Sequence, residues 1–126
     1  QMTIRFRVCA MIRGGLVYVA GPMGDLPLMN FPAFFLASIR LRDAGYVPVN
    51  PAEYDMSLGM DPSRSMESQA WNRDESLHRD FALIEKCMYL ALLDGWEGSS
   101  GATREADFAR SCGIEVFHLE DFFRAG

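Results

Sequence analysis

Basic charge is in short supply: 12 Lys and Arg stand against 17 Asp and Glu, a net charge of −5. No chain-wide positive field exists to gather polymeric nucleic acid. A single nucleotide stays within reach, because a few local N–H groups can hold one phosphate on an acidic protein. Long apolar runs are missing as well, and none approaches the roughly 20 residues of a membrane span. Cysteine is scarce: Cys9, Cys87 and Cys112 are odd in number, far apart and without a Cys-x-x-Cys pair. Neither a zinc site nor a disulfide framework is indicated, and reduced cysteines in a cytoplasmic protein are the expectation. The two histidines, His78 and His118, lack metal-ligand spacing and are read as structural. No metal and no cofactor are expected. The Gly-Lys-Ser/Thr of a P-loop is absent, and so is a Gly-x-Gly-x-x-Gly after the first strand. Residues 1–15 carry three arginines and the short patch Val8-Cys-Ala-Met-Ile12, but no h-region of a signal peptide. They are expected to form a leader or an edge strand, and residues 16–126 a single domain.

What is present alternates. Leu16-Val-Tyr-Val-Ala20 reads as a buried strand ending at Gly21-Pro22. Asn30 is placed to cap a helix with Pro32 in its first turn. Phe34, Phe35, Ala37, Ser38, Ile39 and Leu41 give that helix its apolar face, and Ala44-Gly45 ends it. Tyr46-Val-Pro-Val-Asn50 is a second strand, terminated by Pro51. Residues 52–72 form a polar, methionine-rich excursion, read either as a binding loop with short helical pieces or as a mobile surface insertion. Residues 75–86 have helical periodicity, with Leu77, Phe81, Leu83, Ile84 and Cys87 on one broad face. Met88 to Leu93 is a third strand. A helix opens at Ser100 or Gly101 and ends by Gly113, and Ile114 to His118 is a fourth strand. Asp121-Phe-Phe123 reads as a terminal turn. Strands alternating with helices predict a doubly wound parallel sheet in a three-layer α/β/α, Rossmann-like fold. Ligands of such sheets bind outside the carboxyl ends of the strands, at the switch point.

The stretch from Leu90 to Glu105 concentrates the chemistry. An apolar run stops at Asp94-Gly95, a small-residue loop follows, and a helix starts with a glutamate about one turn inside. Ser99, Ser100 and Gly101 can offer hydroxyl and N–H donors to a phosphate, or Ser99 can simply cap the helix; the two roles are compatible. Glu105 is either a solvated helix residue or a carboxylate inside the crevice, a candidate nucleophile. Asp80 is either solvated and paired with Arg79 or Arg73, or part of the same site. Asp94 can contribute a carboxylate or close an Asx-turn. Trp71 and Trp96 can stack on a base or pack.

Taken in order, Tyr18-Val-Ala-Gly-Pro-Met23, Asn30, Gly45-Tyr-Val-Pro-Val-Asn-Pro51, Arg79-Asp80 and Leu93 through Glu105 resemble the nucleoside 2-deoxyribosyltransferase-like superfamily. The similarity covers roughly residues 16–119. It is nearest to a small phage and bacterial branch, similar to 2′-deoxynucleoside 5′-monophosphate N-hydrolases. The resemblance implies a flavodoxin-like fold and cleavage of an N-glycosidic bond. Glu105, in Ser99-Ser-Gly-Ala-Thr-Arg-Glu105, matches the family's nucleophile, and Asp80 its helical aspartate that assists base departure. Tyr18, Gly21, Met23 and Asn50 match substrate-binding positions, with Gly21 and Met23 in the loop that faces the base. Nucleoside transferases of the family tend to have aspartate at the position of Ser99; serine there favours a 5′-phosphate. Cys87 replaces an aspartate common in the family. Arg13-Gly-Gly15 precedes the first strand, so no role is transferred to it. The expected function is hydrolysis of a 2′-deoxynucleoside 5′-monophosphate. Deoxyribosyl transfer, or nucleotide binding without catalysis, are the alternatives. The expected partner is a small nucleotide or nucleoside, in a homodimer or larger homo-oligomer.

Overall fold

The computed structural model describes residues 11–24 and 26–124. Strand β1 (Leu16–Ala20) leads through a 3₁₀ turn into helix α1 (Phe31–Asp43), then β2 (Val47–Val49) and α2 (Pro51–Ser57). Helix α3 (Arg73–Ile84), β3 (Tyr89–Leu92), α4 (Ser100–Ser111) and β4 (Glu115–His118) follow, with a closing 3₁₀ turn over Leu119–Phe123. The four strands form one parallel sheet in the order β2-β1-β3-β4, the flavodoxin-like topology expected. The central strands β1 and β3 are buried nearly end to end, as a sheet covered on both faces requires.

Alternation along these strands makes two cores. Val17, Val19, Tyr89 and Ala91 face α1, where Phe34, Ala37 and Leu41 are buried. Tyr18, Ala20, Leu90 and Leu92 face α3 and α4, meeting Ile84, Ala106 and Ala109. Stacked rings of Phe81 and Phe108, 4.2 Å apart, join α3 to α4. The three layers follow from these two packed faces. No helix among the described residues is long and apolar enough to cross a membrane.

Three local readings are corrected and a fourth is refined. Asn30 does not cap α1: its backbone is left-handed (φ 60°) and its side chain donates to Pro22 O at 2.9 Å. The turn before it also holds Leu28 and Met29 at φ 51° and 53°, a conformation disfavoured for residues with a Cβ, so the chain enters α1 from an unusual direction. Pro51 does more than end β2; it is the first residue of α2, where a missing N–H costs nothing. Ile39 lies off the buried face of α1 and is half exposed. The segment 58–72 is knotted by its own hydrogen bonds, Gln69 bridging Asp61 N and Asp61 O, and Met60 anchors it in the core. Of the edge strand or leader expected over 1–15, residues 1–10 (and Cys9 with them) lie outside the described residues. Residues 11–15 form a turn whose Gly14 N donates to Gly45 O at 2.7 Å. Cys87 is buried and Cys112 exposed, both as free thiols.

Candidate functional site

A cleft of about 890 Å³ opens at the carboxyl ends of the strands. Its floor is made where β1 and β3 lie side by side and their following loops part, the switch point of the sheet. Gly21 leaves β1 here, and a Cβ at that position would come within 2.8 Å of the Leu93 side chain. Glycine is therefore required for the first loop to cross the end of β3. Gly21 and Met23 from this loop line the cleft, as do Ser99, Ser100, Gly101 and Glu105 from the loop and helix after β3.

The start of α4 is built as an anion-binding end. Ser99 precedes the helix, and its Oγ accepts from Ala102 N at 3.1 Å. Thr103 N and Thr103 Oγ1 both donate to Ser99 O. The N–H groups of Ser100 and Gly101 precede Thr103 N, the first backbone donor within the helix, and remain available to a ligand. Because Ser99 Oγ accepts, its own proton is free to be donated. Arg104, one turn along the same helix, also lines the cleft and adds positive charge; it had no distinguishing signal in the sequence beyond its place in the first turns of α4.

Glu105 is buried, only 6% exposed, so the solvated-helix reading fails. Tyr18, wholly enclosed on β1, donates its hydroxyl to Glu105 Oε2 at 2.9 Å. Tyr18 thus does not line the cleft; it reaches the site through Glu105. Asp80 from α3 lines the same cleft at 7% exposure. Among the described residues it forms no ion pair with Arg79 or Arg73. Arg79 instead lays its guanidinium 5.4 Å from the Trp71 ring centre, and Arg73 Nε donates to Met66 Sδ. Asn50 does not line the cleft either: its Oδ1 caps α2, accepting from Ala52 N at 2.9 Å. That is a positioning role, set by the Asn-Pro helix start. Asp94 stands at the rim of the cleft, with its exposed carboxylate against His118 Nε2 at 2.9 Å. Trp71 is a cleft wall, whereas Trp96 packs against the second core.

Sequence reasoning missed Asp55. It lies on α2, 3% exposed, lines the cleft, and its Oδ1 has no hydrogen-bond partner. Reading 52–72 as an irregular excursion hid it. The signal was Asn50-Pro51, a helix start that places Asp55 one turn in, on the same side as the buried Ala52.

Three carboxyls from three helices therefore crowd one interior. Burial, and then the facing Asp80, hold Glu105 well above the usual carboxylate range, opposed by the hydrogen bond from Tyr18. Burial raises Asp80 as well, against the pull of Glu105, Tyr18 and Arg79. Burial and Asp80 push Asp55 up to about 7. Desolvation and the neighbouring carboxyls keep the Tyr18 phenol protonated. Glu105 and Asp80 titrate as a unit that holds a proton to higher pH than isolated carboxyls do. Chemically, the arrangement can supply a carboxylate for nucleophilic attack, a second carboxyl beside it to give or take a proton, and free N–H groups at a helix start for an anion. Among the described residues no group of His, Cys, Asp or Glu converges to hold a metal ion.

A comparison with curated proteins finds no match. A family model, a domain of unknown function (DUF4406), matches residues 16–118, which takes in all four strands and every side chain of the cleft described above. The chain belongs to the DUF4406 family.

Proposed function

We propose that the protein hydrolyses the N-glycosidic bond of a 2′-deoxynucleoside 5′-monophosphate, as its resemblance to the nucleoside 2-deoxyribosyltransferase-like superfamily implies. The observation that carries this reading is the buried Tyr18–Glu105 hydrogen bond beside Asp80, in one cleft with the start of α4. The phosphate docks on Ser99, Ser100 and Gly101, with Arg104 near by. The Glu105 carboxylate attacks C1′ while the C1′–N bond breaks. The base leaves with the bonding pair and takes the proton held by Asp80. Water then attacks C1′ of the glycosyl ester, Asp80 takes its proton, and deoxyribose 5-phosphate departs from Glu105. The reaction needs the shared proton on Asp80. The Tyr18 hydroxyl favours that placement by stabilising the Glu105 anion.

The test is base release from a panel of deoxynucleotides, normal and modified, followed chromatographically for wild type and Glu105→Ala. Wild type releases base, and the variant is slower by on the order of 10³-fold or more. No release from any of them, with binding intact in both proteins, would overturn the reading.

That result would favour binding without turnover, the second reading. One observation supports it: burial and Asp80 tilt ligand-free Glu105 towards its protonated, non-nucleophilic form. Assembly into a homodimer or larger oligomer, also implied by the resemblance, is supported by Leu36 and Ile39, exposed together on the outer side of α1. Sedimentation equilibrium at micromolar concentration tests it, with a monomer as the contrary result.

A further inference from the structure

We propose that Asp55 selects the leaving base, and that the substrate carries a base with an exocyclic amino group: cytosine, adenine or guanine rather than thymine or uracil. The inference rests on the N-glycosidase reading and gives it a substrate class.

The strand order orients the ligand. Along the rim, α2 follows the edge strand β2, while α4 follows β3, with β1 between them. Ser99, Ser100 and Gly101 mark the β3 end of the cleft; Asp55 marks the β2 end. A nucleotide whose phosphate meets the α4 start and whose C1′ meets Glu105 directs its base towards α2. That end has the surfaces a base requires. Met66 and Trp71, brought in by the knotted segment, supply apolar and aromatic walls. Asp55 supplies a polar atom at the edge of the space.

The state of that atom is the decisive observation. Asp55 is 3% exposed and its Oδ1 has no partner. Buried polar atoms in native proteins are nearly always paired, so an unpaired acceptor lining a cleft identifies what the ligand must bring: a donor. No nearby donor reaches it. The Tyr18 hydroxyl is held by Glu105, and the Asn30 amide by Pro22 O. Arg79 is drawn over Trp71, and its buried Nε, like Asn50 Nδ2, makes no hydrogen bond to Asp55. The three carboxyls do not converge as a metal-ligating set. Cytosine and adenine present an amino group at the edge where thymine presents a carbonyl, and guanine has its own amino group on the opposite edge. An ionised carboxylate facing the thymine or uracil carbonyl leaves two acceptors opposed. With Asp55 near half-protonated at neutral pH, its acid form can also donate to the ring nitrogen beside an amino group. Both protonation states thus pair with amino-bearing bases, whereas a thymine or uracil carbonyl is met only by the acid form.

The experiment measures kcat/KM for dCMP, dAMP, dGMP, dTMP and dUMP with wild type and Asp55→Leu. The same five ligands are titrated calorimetrically into Glu105→Gln. The expected result, at about pH 9 where Asp55 is ionised, is a preference of on the order of 10²-fold for the best amino-bearing substrate over dTMP and dUMP. Asp55→Leu loses that preference chiefly through KM, with dTMP and dUMP little changed. Release of thymine or uracil by wild type as fast as the amino-bearing bases overturns the inference and leaves the glycosidase reading standing. An equal fall for all five substrates in Asp55→Leu also overturns it. Absence of any release, with amino-selective binding by Glu105→Gln, sinks the hydrolase and keeps the selection. Because the wild-type panel decides by itself, the inference stays falsifiable even if Asp55→Leu folds poorly.

Discussion

Asp55, Asp80 and Glu105 illustrate how a site is held together at a cost to the fold. Burying a carboxyl disfavours its charged form, so each such residue is easier to leave protonated than ionised. For Asp55 the sign is direct. Its folded-state value is raised to about 7, with burial and Asp80 raising it and Arg79 opposing. Between about pH 4 and pH 7 the folded chain keeps a proton that the unfolded chain has lost. Stability from this group therefore falls as pH rises through that window and levels off above it. Asp55→Asn removes the ionisation while keeping the shape. We expect it to raise the thermal midpoint at pH 8 by several °C, corresponding to about 1–3 kcal/mol, with little change at pH 4. Calorimetric melts of both proteins across that range check this; equal shifts at both ends would show that charge burial is not the cause. Glu105 behaves in the same sense, and Tyr18 restrains it by donating to Oε2.

At the scale of one element, the start of α4 combines in Ser99 a structural role with the proposed role in phosphate binding. The hydroxyl caps the helix by accepting from Ala102 N, and it faces the cleft. The roles can be separated. Ser99→Ala loses the cap, a change of about 1 kcal/mol in stability. Ser99→Asp caps equally well but sets a carboxylate where the phosphate docks. Its melting temperature should stay near wild type while kcat/KM for a monophosphate falls by on the order of 10²-fold. The corresponding nucleoside should be spared. Assays with dCMP and deoxycytidine, paired with melts, distinguish the two variants; a loss shared by both ligands would contradict a phosphate at this end. Helix α2 gives the complementary case. Asn50 is buried, its side chain accepting from Ala52 N and Glu53 N, and Pro51 starts the first turn. That cap orients α2 so that Asp55 turns into the cleft. Asn50 serves the site through geometry rather than by reaching the cleft.

Across the whole molecule, the core between the sheet and α1 is closed by the turn after β4. Phe122 meets Tyr46, Tyr89 and Phe117 edge-on, with ring centres 5.4–5.9 Å apart. It thereby ties the turn after β4 to the strand β3 and to the residue leading into β2. Arg40 reinforces the closure with a two-point pair to Glu120 at 2.8 and 2.9 Å, though exposed pairs of this kind contribute little. Phe122→Ala should cost about 3–5 kcal/mol, read as a drop in the urea midpoint at unchanged slope. A loss below about 1 kcal/mol would mean that the terminal turn is dispensable.

The four strands, the helices α1, α3 and α4, and the parallel order were largely legible in the residues. Periodicity and turn residues are local signals: Leu16 to Ala20, Gly45, Ser99 and Gly113 each declare their structure within a few positions. The candidate residues Glu105 and Asp80 were legible as an ordered set, but whether they were solvated or buried was not. Their burial depends on α3 and α4 packing on the same face of the sheet as Tyr18, a contact between segments far apart in the chain. Asn30 misled because its cap signal was overridden by the left-handed turn that joins it to Pro22. Asp55 was hidden because a short helix after a proline looks like loop in a polar segment. What the chain order alone could establish was the crevice and its anion-binding rim, because those follow from strand–loop–helix junctions. Which carboxyls share that crevice, and that Asp55 Oδ1 and Asp80 Oδ1 are buried there without a partner, was decided by packing, since desolvation is a property of three-dimensional neighbours.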